Sequence, residues 1–395
     1  MYQTVMSPLA GQISSRLRLL IFTVIVISGL FIVTGLAVDF TIYYDAAKLT
    51  LSGEGSAYYP YDIGESFIYH PFILSLLSPF TWLPLSLAFI TWTILSAIGF
   101  AWVLYRLDEK RWQLWWLLWL VWVPVVETFY NGQINIFILC ALLACYLFYQ
   151  SERHILAGIA LACAIIIKLT PIILLGYFVA TRKWKIVLIA VLTLALMFLI
   201  SILQFGSDPL IDFITVTRLS SGAPPIRFHN LSVYMLLVQY LPVSPNIIYE
   251  VYKFCVILIL MSLTILTFFA PSHVHGTIFH IFIVLAVILT PIVWVHHFIL
   301  FLLPLWHIMQ KAPQAILIRM LFILPSIQRL LELIFALFII SNVALAGIAN
   351  GIIAYILRLP GILLAGWLLY ALFQIMKRDW SLDKSNQEIA QHTGN

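Results

Sequence analysis

The sequence predicts an all-α, polytopic integral membrane protein, and three observations carry that prediction. The residues are 63% hydrophobic and only 9% charged, with a mean hydropathy of +1.04, whereas soluble domains are about half apolar and about a quarter charged. Apolar runs near the spanning length of about 20 residues recur from Leu17 to Ile375. Lys and Arg gather between alternate runs, as the cytoplasmic bias of basic loops requires. No stretch between the runs is long enough for a soluble domain. Residues 1–376 therefore read as one transmembrane domain, followed by a polar, disordered cytoplasmic tail over 377–395. The net charge of +5 comes from short loops and bears on orientation, so no nucleic-acid partner is implied. Cys140, Cys145, Cys163 and Cys255 lie inside apolar runs without metal-ligand spacing and read as small buried residues.

Met1 to Ser15 lacks the features of a signal peptide. Arg16 and Arg18 instead predict a retained first helix over Leu17–Leu36 with a cytoplasmic N-terminus. A first outer loop over 38–84 follows. Within it Phe40 to Leu51 mixes aromatic and charged residues at helical spacing, which predicts an interfacial helix, and the apolar stretch ending near Pro84 is too short to cross. Leu85–Tyr105 returns inward, Trp112–Tyr130 goes out, and Gln133–Tyr149 comes back, with Asn131-Gly132-Gln133 as the outer turn.

Ile155 to Thr181 is anomalous. Arg153 precedes it and Arg182, Lys183 and Lys185 follow it, so both ends belong on the cytoplasmic side. A single span cannot satisfy both. Two short helices meeting at Lys168-Leu169-Thr170-Pro171 can, because the proline removes a ladder donor and disfavours helix at the residue before it. Each arm reaches about 20 Å at 1.5 Å per residue, less than the bilayer core of about 30 Å. Lys168 then sits at the hairpin tip, near the outer surface. Ile186–Leu203 goes out to a second outer loop over 204–246, and Ile247–Phe269 comes in, with Glu250 and Lys253 one turn apart as a local pair. Thr277–Ile292 goes out to Trp294-Val295-His296-His297, Phe298–Met309 returns, and Leu330–Leu345 with Ile352–Ile375 form a last pair. The total is about twelve crossings with both termini in the cytoplasm.

Cations on the outer half run against the orientation bias, and an anionic ligand at the outer surface would account for them. Lys168, Arg218 and Arg227 lie at turns there, with His229, His296 and His297 on the same side. A polyprenyl phosphate headgroup is such a ligand. An adjacent histidine pair alone makes a poor metal site, and none is assigned. Asp39 stands where the first helix leaves the bilayer, placed to take a proton from a polar substrate while facing a lipid-borne one. Asp45, Glu54, Asp62 and Glu65 share its loop, so composition alone does not single out a base. Glu127, near the outer end of its helix, is a candidate contact to sugar hydroxyls. Glycoside hydrolysis needs two carboxyl groups. Sugar transfer from a lipid phosphate needs one base on the acceptor hydroxyl and cations on the departing phosphate.

Short motifs run through the chain: Asp39-Phe40, Tyr44-Asp45-Ala46-Ala47, Gly55 to Tyr58, Phe67-Ile68-Tyr69-His70-Pro71-Phe72, Asn131-Gly132-Gln133-Ile134-Asn135, Ala157-Gly158, Lys168-Leu169-Thr170-Pro171 and Trp294-Val295-His296-His297. In these residues and their order the chain resembles the family 87 glycosyltransferases of the GT-C fold, which include polyprenyl-phosphate-mannose-dependent α-1,2-mannosyltransferases. The resemblance implies a GT-C helical bundle in the plasma (inner) membrane. Its active site would face away from the cytoplasm and move a hexose, mannose being the best-known, from a polyprenyl-phosphate donor to a glycan or glycolipid acceptor. The family's base falls on Asp39, and Lys168, His296 and His297 would serve the donor, joined by position by Arg218, Arg227 and His229. Asp45, Tyr69, Asn131, Gln133, Asn135 and Trp294 are candidate sugar or acceptor contacts. No cofactor and no metal are implied, since the lipid-phosphate sugar is a substrate; the surroundings are membrane lipid. The competing class is a transporter or flippase of polyprenyl-linked sugars, which would show internal repeats and polar residues near the midplane.

Overall fold

A computed structural model describes residues 37–59, 67–107, 122–219, 224, 230–311 and 362–381, and every regular element among them is helical. In chain order the helices are α1 Val38–Ser52, α2 Phe72–Leu77, α3 Leu85–Leu107, α4 Val123–Tyr130, α5 Asn135–Gln150, α6 His154–Ile167, α7 Ile173–Ala180, α8 Trp184–Phe205, α9 Asp208–Leu219, α10 Val233–Tyr240, α11 Pro245–Phe269, α12 His275–Ile288, α13 Leu302–Lys311, and α14 over 362–381. Short 3₁₀ turns over Ser78–Trp82, Thr170–Ile172, Ser272–Val274 and Val295–Phe301 join several of them.

Three helices among the described residues, α3, α8 and α11, are long and apolar enough to cross a membrane. Only 17% of the apolar window of α8 and of α11 is buried, so their Leu, Ile and Phe side chains face outward, as a lipid solvent permits. α12 is the opposite case: every residue from Thr277 to Val287 is buried. A helix apolar all round belongs at the centre of a bundle; α7, α13 and the Val295–Phe301 turn pack around this one, and Tyr146 of α5 packs on its Phe279. The expected first crossing over 17–36, residues 112–121 of the third, and the pair's residues 330–345 and 352–361 lie outside the described residues.

The hairpin demanded by the charges is present. α6 stops at Ile167, Lys168 is extended (φ −150°, ψ 132°), and a 3₁₀ turn through Pro171 starts the return arm α7. The two arms end together, because Lys183 Nζ lies 3.4 Å from Glu152 Oε1 and Tyr149 packs edge-on against both Tyr177 and Phe178. The Glu250–Lys253 pair also forms, at 2.7 Å.

Four expectations need correction. The outer segment 204–246 is not simply a loop, since α8 runs to Phe205 and α9 and α10 fill most of its described residues; Asp208 in the first turn of α9 and Arg218 in the last complement its dipole. α1 forms where an interfacial helix was expected, but Phe40, Tyr43, Tyr44 and Ala47 turn its main face into protein. The tail does not begin at 377, because α14 continues to 381 and Asp379 pairs with Lys311 at 3.2 Å. Cys255 is exposed on α11.

Gly158 explains how α6 and α8 approach so closely. A Cβ there would stand 2.8 Å from the Ile186 carbonyl oxygen and 2.8 Å from Ile189 Cβ, so the helices meet across a missing side chain. Gly158→Ala is therefore expected to destabilise the protein by about 1–3 kcal/mol through overpacking, read as a lowered unfolding temperature in detergent. An unchanged transition would contradict the tight crossing.

Candidate active site

Asp39 sits inside the first turn of α1, not at its cap. The cap is Ala37, with no side-chain capping bond, so the carboxylate is not consumed in terminating the helix. What holds this turn is the loop after α4. That helix ends in a Schellman motif, in which Gln133 N–H donates to the Thr128 carbonyl (2.8 Å) and Gly132 N–H to the Phe129 carbonyl (3.1 Å). Gly132 takes the left-handed conformation the motif needs (φ 66°). Phe40 N–H then donates to the Asn131 carbonyl at 3.1 Å, and Trp92 Nε1–H to the Gly132 carbonyl at 2.8 Å. A Cβ on Gly132 would lie 2.6 Å from Phe40 Cβ, so the approach requires glycine.

This turn aims Gln133 at Asp39. The Gln133 Oε1 accepts from Tyr43 Oη (3.3 Å) and from Asn135 Nδ2 (3.5 Å), which leaves its NH₂ to donate to the Asp39 carboxylate. Tyr43 Oη also meets Tyr69 Oη at 2.9 Å, and both phenols feel the Asp39 charge. From the other side comes Lys168, at the hairpin break, within electrostatic reach of Asp39. Lys168 Nζ touches His297 Nε2 at 2.5 Å. His297 Nδ1 accepts from Trp294 N–H (3.2 Å), and His296 stands edge-on to His297 with 4.7 Å between ring centroids. Asn230 braces the segment before the histidines, donating to the Pro291 carbonyl (2.9 Å) and accepting from Val293 N–H (3.0 Å).

One site therefore joins a carboxylate, a lysine side chain, two imidazoles and two phenols. Burial pushes the Asp39 carboxyl above its ordinary range, against the smaller opposing effects of the Gln133 hydrogen bond and the Lys168 charge. α1 lies outside the three spans, and so does Lys168.

Of the residues singled out in the sequence, Asp39, Tyr69, Gln133, Asn135, Lys168, His296 and His297 come together. Trp294 contributes its backbone N–H, and Asn131 its backbone carbonyl. Glu127 is half-buried one turn before Asn131, Asp45 is exposed on another face of α1, and Arg218 is exposed in the last turn of α9. Arg227 and His229 lie outside the described residues. Tyr43 was not singled out, although it stands four residues after Asp39 and hence on the same helical face.

Beyond the break, α7 and α11 enclose an apolar groove of about 380 Å³, running past Ile173 and Gly176 on one wall and Met261 and Thr264 on the other.

A helical membrane protein with a half-buried carboxylate within electrostatic reach of a lysine has the parts of a transferase acting on an anionic donor. The model of glycosyltransferase family 87 matches residues 67–291, more than half the chain, and the chain belongs to that family. It is a membrane glycosyltransferase. The match begins after Asp39 and ends before His296 and His297, so it does not cover those three residues. No curated protein matches the chain.

Gly132→Ala is expected to displace the first turn of α1. With a left-handed backbone and a 2.6 Å clash, transfer activity should fall further than thermal stability does. Activity equal to that of the parent would show that the turn does not position Asp39.

Proposed function

We propose that the protein transfers a hexose, mannose being the best supported by the family resemblance, from a polyprenyl-phosphate carrier to a glycan or glycolipid acceptor at the extracytoplasmic face, with Asp39 as general base. The observation carrying this reading is that Asp39 and Lys168 enter one site from opposite elements while each keeps a separate partner. An acceptor hydroxyl gives its proton to an Asp39 oxygen as its own oxygen bonds to the anomeric carbon. The bond from that carbon to the phosphate oxygen breaks, and polyprenyl phosphate departs with the electron pair.

Lys168 and His297 supply the charge complement. With Nδ1 accepting from Trp294, a neutral His297 carries its hydrogen on Nε2 and directs it at Lys168 Nζ. Two donors facing each other lack an acceptor whenever the lysine is protonated, and a phosphate oxygen between them would serve both. The apolar groove past Ile173 starts one turn beyond Lys168, where the chain of a lipid phosphate has apolar surface to follow.

Asp39→Asn is expected to abolish sugar transfer while leaving binding of polyprenyl phosphate intact; turnover at the parental rate would remove Asp39 as the base. Lys168→Ala should raise the KM for the polyprenyl-phosphate sugar more than it lowers kcat, and an unchanged donor dependence would count against the phosphate role.

The pH dependence has a definite sign. The base works only when ionised, so the rate should fall as pH drops through an apparent pKa above the ordinary aspartate value of 3.8. Gln133→Leu removes a hydrogen bond that favours the ionised form, so the acid limb should move to higher pH. A limb that stays put or moves down would exclude Gln133 as the group orienting Asp39.

A further inference from the structure

We propose that the groove along α1 is the binding site for the acceptor saccharide, and that it takes a neutral chain of more than one sugar ring. This inference rests on the transferase reading above and adds to it the substrate class and location of the second substrate.

The groove has a volume of about 540 Å³ and runs along α1 and the turn that follows it. Asp39, Ile42, Ala46 and Leu49 follow one another at spacings of three, four and three residues, a single stripe on a helix. The last three of them line the groove, and Asp39, which is not among its lining residues, lies one helical turn before Ile42 on the same stripe. From Asp39 to Leu49 the helix rises about 15 Å at 1.5 Å per residue, which is longer than one hexose.

The lining chooses among ligands. Asp45, Lys48 and Glu54 are exposed in the groove, and the Tyr59 ring, 74% exposed, stands beside them. An apolar chain laid here would desolvate three charged groups without giving any of them a partner. An anionic ligand would meet two carboxylates and one ammonium. Sugar hydroxyls suit the set, since they donate to Asp45 and Glu54 and accept from Lys48, while an exposed aromatic ring offers an apolar face to the C–H side of a pyranose.

The far wall is held in place. Gly53 turns the chain with φ 70°, and Ser56 Oγ accepts from Tyr58 N–H (3.1 Å) and donates to Asp212 Oδ2 on α9 at 2.5 Å. Tyr58 Oη then donates to the Tyr69 carbonyl at 2.8 Å, tying this wall to the residue whose phenol faces Asp39. Under the proposal a saccharide seated in the groove extends past Ile42 by one helical turn to bring its terminal hydroxyl to the carboxylate.

The test uses the full-length protein in nanodiscs without donor, with methyl mannoside, methyl glucoside and the di- and trisaccharides of each hexose as probes in saturation-transfer NMR. At least one disaccharide should bind more tightly than its methyl glycoside. Asp45→Asn, Lys48→Ala and Tyr59→Ala should each weaken it about fivefold or more, the size expected for one lost hydrogen bond or stacking contact. These side chains are exposed, so the variants should unfold at the parental temperature, and Glu250→Gln on α11 should bind as the parent does. Failure of every saccharide to bind, or parental affinity in all three groove variants, overturns the proposal.

A parallel arm measures polyprenyl-phosphate binding, which Lys168→Ala should weaken and Asp45→Asn should not. If the groove variants lose saccharide while no polyprenyl-phosphate sugar supports transfer, the groove stands and the donor assignment falls. If transfer proceeds with a parental acceptor KM in the groove variants, the groove falls and the transferase reading stands.

Discussion

The bond from Phe40 N–H to the Asn131 carbonyl is the contact on which the site depends. It sets where α1 begins relative to the bundle, and Asp39 is the residue immediately before it. Side-chain packing alone would not fix that register, because the aromatic face of α1 packs on Phe80, Phe89 and Trp92, rings that tolerate sliding. A backbone bond beside a glycine that admits no Cβ does not slide. The same turn carries Gln133, so the group that orients the carboxylate and the group that fixes the helix bearing it move together.

Comparison with two other helix ends shows that the demand at Gly132 comes from packing, not from turn type alone. α5 and α7 also finish with left-handed residues, Glu152 (φ 55°) and Arg182 (φ 58°), and with the same pattern of bonds, Arg153 N–H to Phe148 and Lys183 N–H to Phe178. Those positions carry side chains at a modest conformational cost, since nothing packs over them as Phe40 packs over Gly132. Conformation favours glycine at all three turns, and only at the third does the neighbouring helix enforce it.

Much of this was legible in the sequence, and the parts that were not share a cause. The hairpin at Lys168 followed from charge, because basic residues on both sides of an apolar stretch allow only one geometry whatever the side chains do. Asp39, Lys168 and the histidine pair were candidates by residue type and expected sidedness, and the family resemblance gave them their roles. α9 was missed because low hydropathy outweighed its start and stop signals, Asp208-Pro209 and Arg218, in a reading organised by apolar runs. Tyr43 was missed because an aromatic residue on a half-polar helix resembles any core residue until its hydroxyl is seen to bond to Gln133 and Tyr69. Gln133 was noticed but given to the sugar, since a sequence does not show that its NH₂ is aimed at a carboxylate.

The electrostatics of the site show why a base and a cation can share it without cancelling. Among the described residues no direct ion pair joins Asp39 to Lys168; the carboxylate is engaged by Gln133, and Lys168 Nζ lies against His297 Nε2. A closed pair would be the cheaper arrangement in a buried setting, because each charge would offset the other's desolvation. Holding them apart costs stability and raises the carboxyl's affinity for protons, the property that a base accepting a proton from an alcohol requires. The α1 side of the site therefore presents a carboxylate, and the opposite side presents the nitrogen groups of Lys168 and His297. Under the proposed reaction an acceptor hydroxyl must approach the first and a departing phosphate the second. Under that proposal the sugar passes from the Lys168 side toward α1.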